Sequence, residues 1–143
     1  MEHMTNASLI ERAGEITYER RRGQTTFGQV GSALLTPSGA VHVGVCVDMG
    51  SGMGFCAEHA AAASLMTRGE TQIAKIVAVW KSPEGELHVL PPCGRCREFL
   101  YQLDSRNLDT EVVLGADKSV PLRALLPYAE QFSTEPQVAR STG

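Results

Sequence analysis

Three of the four cysteines of this chain fall in two short stretches, "FCAEHAAA" at Phe55–Ala62 and "PPCGRC" at Pro91–Cys96. In a reducing compartment, cysteines this closely spaced are metal ligands or catalysts rather than disulfide partners. Cys93 and Cys96 form a C-x-x-C pair; at the start of a helix they share one face, one turn apart. Cys56 opens an alanine-rich run to Met66 that is apolar nearly all round, which predicts a helix buried in the middle of the domain. Helix N-termini carry partial positive charge and favour thiolates. Three thiolates from two helix starts suit one soft metal ion, and zinc is the usual ion for that set. The fold is therefore expected to bring two helix N-termini together. A structural zinc site normally has four protein ligands, whereas a catalytic one keeps a position for water, and only three strong ligands are visible here.

The remaining sequence supplies a sheet and its covering layers. Leu9, Ala13 and Ile16 recur at helical spacing and predict an amphipathic helix ended by Gly23. The arginines of "ERRRG" (Glu19–Gly23) would then sit in its last turn and favour the macrodipole, a plainer reading than a nucleic-acid patch. A strand is expected over Phe27–Leu35. "TPSG" at Thr36–Gly39 suits a type I turn. In the strand that follows, Val41, Val43, Val45 and Val47 share one face, and His42, Gly44, Cys46 and Asp48 the other. Met49–Gly54 reads as a flexible loop. Further strands are expected over Gln72–Trp80, Glu111–Gly115 and Lys118–Val120, with an extended piece reaching Leu90. Helices are expected over Gly94–Leu103 and Leu122–Leu126. The order α-β-β-α-β-α-β-β-α predicts an α/β fold, one mixed sheet with helices on both faces.

Composition bounds the function. The 143 residues fit a single domain, 1–143, with a core over about 9–127 and flexible ends, the polar tail beginning at Ser133. Hydrophobic residues at 43% and charged residues at 20% are a globular mixture rather than a disordered one. No apolar run approaches the ~20 residues of a membrane span, and Met1–Ser8 lacks a signal pattern, so a cytoplasmic protein with no membrane partner is expected. A net charge of −3 argues against nucleic acid as a partner.

Glu58 carries the chemistry. Two residues after Cys56, it can reach over a metal without binding it. A carboxylate beside metal-activated water can take its proton and pass it to a leaving group. A lone C-x-x-C is also common in structural zinc sites and redox pairs, and a first-turn glutamate is often only a dipole partner. Three cysteines with a glutamate that is not a ligand are, however, the signature of zinc deaminases.

Cys56-Ala57-Glu58 and Pro92-Cys93-Gly94-Arg95-Cys96-Arg97 resemble the small cytidine deaminase family, including its blasticidin S deaminase relatives. "VGSALLTPSG" (Val30–Gly39) and "LLP" (Leu125–Pro127) are weaker matches in the same order. The resemblance implies the three-layer α/β/α deaminase fold around one mixed five-stranded sheet, assembled as a homotetramer with active sites near subunit boundaries. It implies one Zn²⁺ per subunit on Cys56, Cys93 and Cys96. Glu58 would move protons between the attacking water, ring N3 and the departing amine at C4 of a cytosine ring. The Ala57 backbone and the Pro91 carbonyl would hold the pyrimidine. The partner would be a small nucleoside, such as cytidine or deoxycytidine.

Several positions depart from the family pattern. The Asn-x-Glu pair that binds ribose hydroxyls aligns with Cys46 and Asp48; Asp48 can still accept a hydroxyl bond, whereas Cys46 is either a poor substitute or a small buried filler. A family aromatic corresponds to Phe27, offset by one position. The usual arginine after Cys-Ala-Glu is His59, which reads as an ordinary helix histidine before it reads as a charge partner. Three thiolates on Zn²⁺ leave a net negative site, and Arg95 is the expected compensator, as in the "PCGRCR" of blasticidin S deaminase. Two alternatives stand beside the nucleoside deaminase: a blasticidin S deaminase-type enzyme, and a non-catalytic, zinc-stapled nucleoside-binding protein.

Overall fold

The computed structural model describes residues 4–130, 134–138 and 140. The start at residues 1–3 lies outside them, as does much of the tail expected to be flexible from Ser133. The first helix, α1 (Asn6–Glu15), is capped by Thr5, whose side chain accepts the Ser8 amide, and it buries Leu9, Ile10 and Ala13. It ends well before Gly23. The Tyr18 amide donates to the Gly28 carbonyl at 2.8 Å, which commits the chain to a sheet. The arginine run is therefore not a helix end. Arg20–Arg22 form β1, paired antiparallel with the start of β2 (Thr25–Leu35), and Gly23 turns between them at φ 61°.

The chain continues through β3 (Val41–Asp48), α2 (Ala57–Thr67), β4 (Lys75–Lys81), β5 (Leu87–Leu90), α3 (Gly94–Leu103), β6 (Glu111–Gly115), β7 (Lys118–Pro121) and α4 (Leu122–Leu125). Within the expected loop, Gly50–Gly52 close a single 3₁₀ turn. The sheet has seven strands rather than five. The additions, β1 and β5, are three and four residues long, too short for a period of two to show in sequence.

β2 lies between β3 and β4 and is antiparallel to both, so β3 and β4 run the same way and α2 is the crossover between them. β4 and β6 pair in parallel, with α3 in the second crossover. Alternation then sorts the core into two layers. Ala33, Val77, Val79 and Val113 pack against Leu9, Ile10 and Ala13 of α1. Leu34, Ile76 and Val112 pack against Ala61 and Leu65 of α2 and Leu100 of α3. The result is the expected α/β/α sandwich. α2 is buried on one side only; Ala63, Met66 and Thr67 face solvent. It lies close on the sheet because Gly44 has no side chain: a Cβ there would fall 2.4 Å from the Ala61 nitrogen.

One buried polar residue ties the lower end together. Asn107 is fully buried. Its Oδ1 accepts the Ile73 amide at 2.8 Å, and its Nδ2 donates to the carbonyls of Thr71 at 3.0 Å and Leu100 at 2.9 Å. These bonds hold the approach to β4 against the end of α3. Asn107→Ala leaves several buried backbone groups without partners, so urea unfolding should show a loss of about 2–4 kcal/mol.

Candidate active site

The topology delivers the two expected helix starts to one place. β3 leads into α2 with Cys56 as its N-cap residue. β5 brings the chain back from Lys81 to the level of Ala78, and two prolines later Cys93 caps α3. The Cys93 sulfur accepts the Cys96 amide at 3.4 Å, a side-chain cap made by a thiol. Cys56 Sγ lies 3.4 Å from Cys93 Sγ, and Cys93 Sγ 3.4 Å from Cys96 Sγ. Among the described residues these three cysteines are the group able to hold a metal ion, with ligand atoms all within 4.8 Å of one another.

The donor set fits zinc. A tetrahedral ion with Zn–S of about 2.3 Å holds its sulfurs about 3.8 Å apart, within a few tenths of the spacing seen. Cys96 is buried, Cys56 half-buried and Cys93 exposed, so the cluster opens outward on the Cys93 side. Burial pushes the Cys96 thiol well up, and the nearby Glu58 charge adds to it. Burial also raises Cys56, with the Cys93 sulfur contributing. For Cys93 burial acts upward too, but the Cys96 amide and the neighbouring sulfurs outweigh it and leave this thiol below its usual range. Without an ion the cluster holds protons that a thiophilic metal would displace.

Glu58 is 5% exposed in the first turn of α2. Its carboxyl pKa is raised by burial, partly offset by its own amide and by contact with Cys96. It lines a small cavity with Ala78, Leu90 and Pro92. The carboxyl thus stands beside the sulfur cluster in a buried position, where loss of water favours its protonated form more than solvent would. Ala57 is buried in the same turn, where its amide has no acceptor within the helix. Pro91 is exposed at the other wall.

The other expected site residues are less uniform. Cys46 lies on the α2 side of β3, two residues beyond Gly44, but its sulfur is occupied: it accepts the Val30 amide and donates to Gln29 Oε1, both at 3.3 Å. Asp48, at the end of the same face, is exposed. Phe27 pairs with Val47, and Thr26 with Asp48, so the register puts Phe27 on the valine face. The Arg20 guanidinium lies 5.6 Å from its ring centre. The pairing of β2 with β3 shifts register between Phe27 and Gly31.

The two candidate partners of the thiolates have different neighbours, and burial together with the Arg95 charge lowers the His59 pKa, favouring its neutral ring. Arg95 Nη1 donates to the Gly54 carbonyl at 3.4 Å, bracing the loop ahead of Cys56. His59 instead places Nδ1 3.4 Å from Cys96 Sγ, with its ring 4.3 Å from that of Phe99. Sequence reasoning ranked His59 below Arg95; the available signal was its position, three residues past Cys56 on a helix whose first turn faces the cluster. A ring held against a ligand sulfur should steady that ligand. His59→Ala is therefore expected to cut zinc affinity by about 10–100-fold in equilibrium dialysis, with a smaller loss for Arg95→Ala.

No family model matches the chain, and a comparison with curated proteins finds no match. Solved structures do match. A cytidine deaminase from Burkholderia pseudomallei is 30% identical, with 87% of this chain and 98% of that one covered and a TM-score of 0.67. A cytidine deaminase from Mycobacterium tuberculosis is 26% identical over 85% of this chain and 93% of that one, with a TM-score of 0.66. The cytidine deaminase from Mycobacterium leprae, at 23% identity over 87% and 99% and a TM-score of 0.69, shares the fold. With the sulfur cluster at two helix starts and the buried glutamate beside it, this chain belongs to the cytidine deaminase family of zinc-dependent hydrolases.

Proposed function

We propose that this protein deaminates a free cytosine nucleoside, cytidine or deoxycytidine, to the uracil form with release of ammonia. The observation that carries the reading is the buried Glu58 carboxyl set beside the three-sulfur cluster. Cys56, Cys93 and Cys96 would hold the zinc ion, which when bound acts as a Lewis acid and makes water a nucleophile at neutral pH. Glu58 takes one proton from the attacking water and delivers it to ring N3 as the C4–O bond forms; it then takes the second from the new C4 hydroxyl and passes it to the amine, so that the C4–N bond breaks, ammonia leaves and the carbonyl remains. Its burial, which raises its pKa, suits a group that must hold a proton and release it within one cycle. The Ala57 amide and the Pro91 carbonyl address the polar edge of the pyrimidine. Asp48, exposed at the end of β3, would accept a sugar hydroxyl in this reading. Phe27 and Arg95 act at the rim, as supports for the strand end and for the loop at Gly54.

The whole chain acts as one deaminase domain in this reading. The described residues contain no helix long and apolar enough to cross a membrane. Four free cysteines suit a reducing cytoplasm. The uncharged outer stripe of α2, with Ala63 and Met66 exposed, and the neighbouring Met53 and Phe55 favour a homotetramer, whose mass light scattering would report. A blasticidin S deaminase-type activity is the second reading, favoured by a Cys46 sulfur already spent on Val30 and Gln29 and by Arg95 within the C-x-x-C.

Zinc-loaded protein should release ammonia from cytidine or deoxycytidine. Glu58→Ala should keep fold and zinc, yet lose turnover by about 10²–10⁴-fold or more. Undiminished turnover in that variant would remove Glu58 as the proton carrier. Turnover of blasticidin S alone would select the second reading. A mass of one chain in solution would count against the tetramer.

A further inference from the structure

On the sheet face beneath α2 and α3, register partners line up in rows. The inner row is Gly44, Ser32, Ala78 and Leu90. It runs under the start of α2, and its members Ala78 and Leu90 share a cavity with Glu58. The next row outward holds Val30, Trp80 and His88, with Cys46 joined to it through the Val30 amide. Two residues along a strand advance about 7 Å, so this row lies about that far beyond the residues that share the Glu58 cavity, and Trp80 borders a separate cavity with Tyr18, Gln29 and Lys81.

Trp80 is 40% exposed, although it lies on the face that Ile76 buries lower down the same strand. Its ring centre is 5.3 Å from that of His88, at 37°. Glu86 approaches the far nitrogen of His88 at 3.7 Å, which steadies the pair. A large aromatic surface held open is a stacking platform, and Trp80 stands one row beyond Ala78, which lines the Glu58 cavity. Across the row the Cys46 sulfur is already occupied by Val30 and Gln29, and Asp48 is exposed at the strand end.

We propose that Trp80, braced by His88, is the specificity-determining wall of this site and stacks on the N1 substituent of a cytosine compound. Substrates are then selected by a flat or apolar face of that substituent more than by its hydroxyls. This rests on the deaminase reading above and narrows its substrate class.

Trp80 is the single tryptophan of the chain, so its emission reports this position alone. Zinc-loaded Glu58→Ala would be titrated with cytidine and with 2′,3′-dideoxycytidine, with calorimetry in parallel. The expected result is a saturable change in emission with both, at affinities within about threefold of each other. In the otherwise native enzyme, Trp80→Ala should raise KM about tenfold for both compounds with kcat retained, and Trp80→Phe should recover most of the loss. Calorimetric binding with silent emission would overturn the wall. So would a dideoxycytidine affinity more than about a hundredfold weaker than that of cytidine. A Trp80→Ala variant that dissociates in sedimentation would overturn it too, by making the ring a contact between copies. In all three cases native turnover persists and the deaminase reading stands. Absence of both ammonia release and nucleoside binding in zinc-loaded protein would instead remove that reading, and this inference with it.

Discussion

The burial of Glu58 against Ala78 and Leu90, beside three sulfurs, sets the terms for the rest of this molecule. A buried carboxyl beside the buried Cys96 thiol is costly to keep out of water unless the two exchange bonds with neighbours or the cluster binds an ion. Two helix N-termini lower that cost with their dipoles, provided they meet at one spot. The fold is arranged to make them meet. α2 descends from the end of β3 onto a sheet stripped of bulk at Gly44, and β5 folds back along β4 to start α3 at the same level.

That arrangement also explains the division of labour around the metal position. The loop ahead of Cys56 has little packing of its own, and Arg95 ties it down through Gly54. His59, fixed by its helix and by Phe99, reaches the Cys96 sulfur, which Glu58 also contacts. A helix residue three positions from a ligand is placed by rigid geometry, whereas an exposed arginine at a helix start goes to the nearest carbonyl. Arg97, one turn after Cys93, makes a similar tie from inside, donating to the carbonyls of Pro92 at 2.8 Å and Leu125 at 3.1 Å.

The parts of the fold legible in the sequence were those with a strong period or a capped end. The alternation from Val41, the alanine-rich helix after Cys56 and the C-x-x-C helix were read at nearly the right boundaries. The arginine run was misread because three residues carry too little periodicity to separate a short strand from a helical turn, and its pairing with Thr25–Phe27 is a long-range fact. β5 failed to register as a strand for the same reason of length. Asn107 gave no signal at all, since a lone polar residue in a loop looks the same whether it is solvated or fully buried with its amide saturated.

From the sequence by itself came the three clustered cysteines, the glutamate two residues after the first of them and the class of fold, because metal ligation and general acid–base chemistry need particular residue types at particular spacings. Tertiary structure alone decided which side chain touches a thiol, which face Phe27 takes, that Cys46 is occupied, and that Trp80 stands open in the row beyond Glu58. Those outcomes depend on strand register and on how closely α2 lies on the sheet. A shift of one residue moves every side chain of a strand to the other face, and nothing local in the chain records that choice.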